Sequence, residues 1–314
     1  MRQLTIVCCI SFFLSACNAQ NAPSKNGFDL SNTSISVDEI LSGGPGKDGI
    51  PAIDNPIFVT QDQADFVKDK DRVLALEIDG VAKAYPINIL NWHEIVNDRI
   101  GDHYFAVTYC PLCGTGAVFS ADIAGERSRF GVSGLLYNSD VLLYDNKTKS
   151  LFSQILSKAV SGPLVGEKLK ALASTHTTWG GWKEQHPNTL VLSTDTGYSR
   201  DYTKNPYAGY GASRSLYFPA PSKSINADRF HPKETVIGLV DGERIKAYPF
   251  SELDKNDKVQ FTDTINGKRY ILEWDSANKS AQIKNQKGGV IPTIQGFYFA
   301  WMAFYPDSKI YLVQ

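Results

Sequence analysis

Val73-Leu74-Ala75-Leu76-Glu77-Ile78-Asp79-Gly80, running on to Lys83-Ala84-Tyr85-Pro86, returns later as Val236-Ile237-Gly238-Leu239-Val240-Asp241-Gly242, running on to Lys246-Ala247-Tyr248-Pro249. Each copy reads as a β-hairpin that turns at Asp-Gly and ends before proline. A short segment follows each, and then a similar strand pair: Val96-Asn97-Asp98-Arg99-Ile100-Gly101 answers Phe261-Thr262-Asp263-Thr264-Ile265-Asn266-Gly267. Such internal similarity marks two copies of one β-module. The expected fold is mainly β with short helices (α+β), two hairpin-based modules flanking a loop-rich insertion. Fifteen Tyr and sixteen Phe suit a β-rich globular protein.

The copies differ where chemistry is concentrated. In the first, Tyr104-Phe105-Ala106-Val107-Thr108 and Ala117-Val118-Phe119 read as strands joined by the turn Tyr109-Cys110-Pro111-Leu112-Cys113-Gly114-Thr115. The second has Glu273, Trp274 and Asp275 there and no thiol. Two cysteines two residues apart suit a metal knuckle or a redox disulfide. Ahead of them, Ile87 to Glu94 suits a short helix with Pro86 at its start. Ile89 and Leu90 lie four and three residues before His93, which places His93 on the inward face. There it is either a hydrogen-bonded core histidine or a third ligand.

At 314 residues the chain is long enough for one large or two small domains. A net charge of −1 gives no reason to expect nucleic acid as a partner. Arg2 precedes the apolar run Leu4 to Leu14, too short to span a bilayer as a mature helix. It ends in Leu14-Ser15-Ala16-Cys17, which resembles the lipobox of bacterial lipoproteins. That resemblance implies cleavage before Cys17, lipidation of Cys17 and a membrane partner through the lipid. Asn18, in place of the Asp that retains many such proteins at the inner membrane, points to the outer membrane facing the periplasm. Cys8 and Cys9 would leave with the signal, so Cys110 and Cys113 would be the remaining thiols, in an oxidising compartment.

The expected organisation is a signal peptide over 1–16, a tether over 17–49, a first module with the Cys-x-x-Cys pair over 50–165, an intervening helix and aromatic loop over 166–232, and a second module over 233–314. Residues 18–49 are rich in Asn, Ser, Gly, Asp and Lys, which reads as disorder to about Ser34. Thr178 to Pro187 reads as a Thr-capped helix stopped near proline, and Leu190-Val191-Leu192 as a buried strand. Between Tyr198 and Tyr217, Tyr202, Tyr207 and Tyr210 are interleaved with Gly, Asp, Arg and Asn. Such a loop is either a lid or an insertion packed on the core.

Several motifs together resemble the bacterial family catalogued as domain of unknown function 3179 (DUF3179). They are Asn91-Trp92-His93-Glu94, Thr108 to Gly116, Gly131-Val132-Ser133-Gly134-Leu135-Leu136-Tyr137-Asn138-Ser139-Asp140, Ser153-Gln154, Thr178-Trp179-Gly180, His186-Pro187 and His231-Pro232-Lys233. The resemblance runs from about Asp48 to the C-terminus and implies no particular activity. Glu94, Tyr109, Ser133, Tyr137, Asn138, Ser139, Asp140, Gln154 and Trp179 within these motifs are candidates to line a pocket beside the thiols. Asn138, Ser139 and Asp140 have the alternative of serving turn backbone only.

Three functions remain open. Cys-x-x-Cys-Gly on a hairpin resembles the knuckles of rubredoxin and zinc ribbons, but the chain lacks a second thiol pair, which excludes a Cys₄ site. Cys110, Cys113 and His93 would then form a soft-metal site suited to copper. Thiol–disulfide exchange by Cys110 and Cys113 is the second function, weakened because Gly114-Thr115-Gly116 does not continue as the helix that activates such thiols. The third is a non-enzymatic envelope binding module with a structural disulfide, a weak staple worth about 2 kcal/mol for so short a loop. No Gly-x-Ser-x-Gly elbow, His-Glu-x-x-His or complete Walker motif appears, and no enzymatic class is assigned.

Overall fold

The duplicated segments set the architecture. A computed structural model describes residues 22–225, 229–256 and 258–313. Strand accounts for 42% and helix for 12%, well on the β side of an ordinary globular protein. The Leu14–Cys17 box and Cys17 itself lie outside the described residues. Among those described, no helix is long and apolar enough to cross a membrane.

The first module comprises β1 (Arg72–Ile78), β2 (Val81–Pro86), α1 (Ile87–His93), β3 (Ile95–Ile100), β4 (His103–Cys110) and β5 (Thr115–Ser120). After an insertion containing β6 (Phe130–Tyr137), β7 (Asp140–Asp145), β8 (Leu151–Ser153) and β9 (Lys158–Ser161), it ends with β10 (Thr175–Thr178), α2 (Trp179–Gln185) and β11 (Leu190–Leu192). The helix expected in the intervening segment 166–232 therefore packs with the first module, whose sheet β10 and β11 join. The second module repeats the series without the insertion: β12 (Thr235–Asp241), β13 (Arg244–Pro249), α3 (Phe250–Leu253), β14 (Gln260–Ile265), β15 (Lys268–Asp275), β16 (Ser280–Lys284), β17 (Ile294–Phe297), α4 (Tyr298–Phe304) and β18 (Lys309–Ile310).

The strand orders β10-β1-β2-β11 and β17-β12-β13-β18 are the same, with the last strand parallel to its neighbour in each. Val73 pairs with Pro86 and Val236 with Pro249, so the hairpins share their register. The turns differ. The first uses Asp79-Gly80, both at positive φ (51° and 78°). The second closes at the same register position but on Gly242-Glu243, not on the expected Asp241-Gly242, with Gly242 alone at positive φ. Both are two-residue turns whose twist suits a hairpin.

The repeat also extends to pairs that the linear sequence hides. Trp182 Nε1 donates to Thr189 Oγ1 at 2.9 Å, and Trp301 Nε1 to Ser308 Oγ at 2.8 Å, the same seven-residue span. Lys83 Nζ and Tyr85 OH both donate to Asp98 Oδ2, at 2.7 and 2.6 Å. Lys246 Nζ and Tyr248 OH do the same to Asp263 Oδ2, at 2.6 and 2.9 Å. Each triad ties the hairpin to the following strand pair. The modules join where β17 of the second pairs with β5 of the first, at Gln295 opposite Gly116.

Residues 22–49 correct the tether reading from residue 22 onward. Phe28, Leu30 and Ile40 are buried, Ile40–Ser42 pairs with β6, and Lys25 Nζ donates to the carbonyls of Val37 and Ile40. The sparse apolar residues have no local period because their partners, Leu135, Leu142 and Val160 among them, lie a hundred residues away.

A buried ion pair that loses one member leaves a charge uncompensated. Asp98→Ala is therefore expected to lower unfolding free energy by about 3 kcal/mol. Asp263→Ala should cost less, because Lys246 and Asp263 are 15% and 17% exposed against 10% and 6% for Lys83 and Asp98. Urea denaturation of both variants measures this, and a larger loss at Asp263 contradicts it.

Candidate functional site

β4 delivers Cys110 at its end, and the pairing of Cys110 with Thr115 closes the turn that carries Cys113. Gly114 has φ +59°, and an added Cβ would meet the Phe297 ring at 2.9 Å, so both conformation and space require glycine. Phe297 N–H donates to Cys113 O at 2.7 Å, which pins the turn to the start of α4. Both cysteines are free thiols, 1% and 0% exposed.

The third group is Asp140, at the head of β7. The sulfurs of Cys110 and Cys113 and a carboxylate oxygen of Asp140 all lie within 4.8 Å of one another. Cys110 Sγ also donates to Ser139 O at 3.8 Å. Behind Asp140 runs a polar chain. Thr108 Oγ1 donates to Ala117 O at 2.9 Å and accepts from Gln154 Nε2 at 2.8 Å, which directs Gln154 Oε1 to Thr115 Oγ1 at 2.6 Å. Thr115 has one hydroxyl proton, and Gln154 takes it. The same hydroxyl also lies within reach of Asp140 Oδ1, at 3.2 Å, as its second acceptor. Burial pushes the Asp140 carboxyl up to about 7, against the hydrogen bonds it accepts, that from Ile155 N–H at 3.2 Å among them, which lower it.

Glu94 stands beside this cluster. It caps α1 at φ 58°, a strained region for a non-glycine residue, and burial with the charge of Asp140 pushes its carboxyl up to about 8. Burial, the neighbouring Cys110 and Asp140 push the Cys113 thiol well up. Burial likewise raises the Tyr109 hydroxyl, with Cys110 adding to it. The aromatic loop lies over the site. Burial raises the hydroxyls of Tyr207 and Tyr210, with Glu94 and Cys110 contributing at Tyr207 and Cys113 at Tyr210. Lys233 holds this loop, donating to the carbonyls of Ser213 and Ser215 with its ammonium 3.9 Å from the Tyr210 ring.

His93 is not part of the cluster. It faces inward as its spacing indicates, but Nδ1 donates to Pro51 O at 2.8 Å and Nε2 accepts from Tyr202 OH at 2.6 Å. Both nitrogens are used, so His93 is a core histidine holding the loop, and Asp140 takes the third place. Of the other candidates, Glu94, Tyr109, Ser139, Asp140 and Gln154 come together. Ser133 instead serves the β6 bulge, donating to Leu142 O and accepting from Leu135 N. Tyr137 packs edge-on against Phe304 in a different core region. Asn138 is a turn residue at φ 52° that donates to Ala303 O. Trp179 belongs to the core beneath β1 and β2. Thr108 and Thr115, which are not among the residues expected to line the pocket, complete the polar chain, and their place flanking the thiols on paired strands is the sequence signal for them.

The sequence model of the family described as "Protein of unknown function (DUF3179)" matches residues 47–291. No curated protein matches the chain, and no solved structure does.

Asp140 and Glu94 hold their protons more tightly folded than unfolded. Unfolding free energy therefore falls as pH rises from about 4, where unfolded carboxyls titrate, through the folded values of about 7 and about 8. Reduced protein kept with a chelator should lose melting temperature across that window. Asp140→Asn, which stays neutral, should flatten the decline, and an equally steep decline in that variant contradicts the assignment.

Proposed function

The chain belongs to the DUF3179 family, whose name assigns no chemistry, and from its geometry we propose that Cys110, Cys113 and Asp140 bind a divalent, thiophilic metal cation. The convergence of two thiols and one carboxyl, all buried, within 4.8 Å carries this reading. The charges that act on Asp140's neighbours are anionic: Asp140 on Glu94, and Cys110 and Asp140 on Cys113. A cation relieves that crowding, which is otherwise met by protonation.

The donor set favours zinc(II) over the copper expected with an imidazole ligand. Two thiolates and a carboxylate carry three negative charges, of which a divalent ion leaves one uncompensated and copper(I) leaves two. Residual charge is costly in a site this buried. A carboxylate is also a common zinc ligand and a poor one for a soft monovalent ion. In this reading the protein is a metal-holding lipoprotein of the envelope, anchored through Cys17 and facing the periplasm.

A second reading, thiol–disulfide exchange, rests on the closeness of the two thiols and on Asp140 as an adjacent proton acceptor. Metal analysis and zinc titration of reduced protein separate the two. Wild type should bind one zinc per chain, Cys110→Ser and Cys113→Ser none, Asp140→Asn at least about tenfold more weakly, and His93→Ala with the same stoichiometry. Equal binding by wild type and the Cys110→Ser/Cys113→Ser variant overturns the metal reading. Reduction of a model disulfide by a protein that holds no zinc supports the second.

A further inference from the structure

A cleft of about 560 Å³ lies on the first module, away from the thiols, between the edge strand β3 and the insertion. Arg99 and Tyr104 face each other across β3 and β4. A small hairpin, Asp122–Ile123 paired with Glu126–Arg127, docks beside them through Ala121 N–H donating to Tyr104 O at 2.9 Å. It lays the Arg127 guanidinium 3.6 Å from the centroid of the Tyr104 ring, while that of Arg99 stands 5.8 Å from the same centroid. Arg129 lines the cleft as well and is paired with Asp54 at 3.0 Å.

Charge in the cleft is unbalanced. Asp98 is committed to Lys83 and Tyr85, and the two oxygens of Asp54 to Asn97 and Arg129. Among the described residues, Arg99 and Arg127 form no ion pair, so two guanidiniums share one aromatic ring without a carboxylate. A guanidinium fork matches the oxygens of a carboxylate or phosphate. Beneath them the lining is apolar, with Phe105, Ala121 and Ile57, the last 48% exposed despite its size. The volume is that of a small-molecule site.

The duplicate serves as an internal control. Thr264 opposite Arg269 stands where the first module has Arg99 opposite Tyr104. The docked hairpin belongs to the insertion, which the second module lacks. The arrangement is therefore no by-product of the repeated fold.

We propose that this cleft binds a small amphipathic anion, a carboxylate or phosphate monoester on an apolar body, through Arg99 and Arg127. Calorimetric titration of the full chain at low ionic strength, with phenyl phosphate, benzoate, inorganic phosphate and benzyl alcohol as probes, tests it. Phenyl phosphate or benzoate should bind one per chain, the tighter of the two identifying the acid group. Benzyl alcohol should not bind, and inorganic phosphate should bind more weakly than phenyl phosphate. Arg99→Gln/Arg127→Gln should weaken the anionic probe at least about tenfold with the melting temperature unchanged, since both side chains are exposed. Equal affinity in that variant overturns the proposal. So does inorganic phosphate binding as tightly as phenyl phosphate, or binding seen only with phosphatidylglycerol vesicles, which would make the surface a membrane contact.

Discussion

A buried lysine ammonium held on a carboxylate that also accepts a phenol is the constraint on which each half of this protein depends. Lys83, Tyr85 and Asp98 lock hairpin to strand pair in the first module, and Lys246, Tyr248 and Asp263 do so in the second. The acceptor oxygen is the same in both bonds of each triad, so the angle between the elements has little freedom. The turn at the far end of the strand pair is then placed against the partner module. Buried ion pairs contribute little net stability compared with apolar packing. Their recurrence in both copies is better understood as fixing one arrangement than as strengthening the fold.

The two turns show what divergence did with that frame. Cys110 pairs with Thr115 as Asp275 pairs with Ser280, which aligns Cys113 with Asn278. Each turn meets the start of the other module's helix. Cys113 O accepts from Phe297 N, while the Asn278 side chain meets Thr178 Oγ1 and fills the space where a Cβ on Gly181 would stand. In the second module the turn is a polar plug. In the first, the insertion brings Asp140 and Gln154 over it, and the loop between modules brings Tyr207 and Tyr210. The site is thus a duplicated structural contact that two added segments enclosed.

The fold was largely legible because its signals are local: a glycine-containing turn between apolar strands and a proline at the end of each hairpin, although only the first copy turns at its Asp-Gly. The site was legible only in part. Cys110 and Cys113 announce themselves by spacing, and helical periodicity put His93 inside, yet periodicity does not say where its nitrogens point. They were claimed by Pro51, earlier in the chain, and by Tyr202, more than a hundred residues later. Asp140 was visible as one polar residue among three in a turn. What distinguishes it from Asn138 is that β7 begins at Asp140, which turns its side chain toward the thiols, and a boundary of one residue is beyond pattern reading. The packing of Phe28, Leu30 and Ile40 was hidden for a related reason: three apolar residues in a polar stretch have no period, and only their distant partners show that they are core.

The cost of this arrangement is the strongest argument that it serves a purpose. Confining two carboxyls and two thiols in one buried space costs the fold stability. Asp140 and Glu94 are both held far above their ordinary ionisation range, Cys113 is shifted in the same direction, and Glu94 adds a strained backbone. Apolar residues of similar volume would pack there without either penalty. The second module shows that the frame tolerates another solution, since its turn is satisfied by Asn278 and Asp275 hydrogen-bonding to each other at 2.7 Å. Where one copy of a repeat keeps a destabilising cluster and the other does without it, stability does not explain the cluster. Of the species that draw two thiolates and a carboxylate together, a metal cation is one that offsets their charge, which is the ground of the metal reading proposed above.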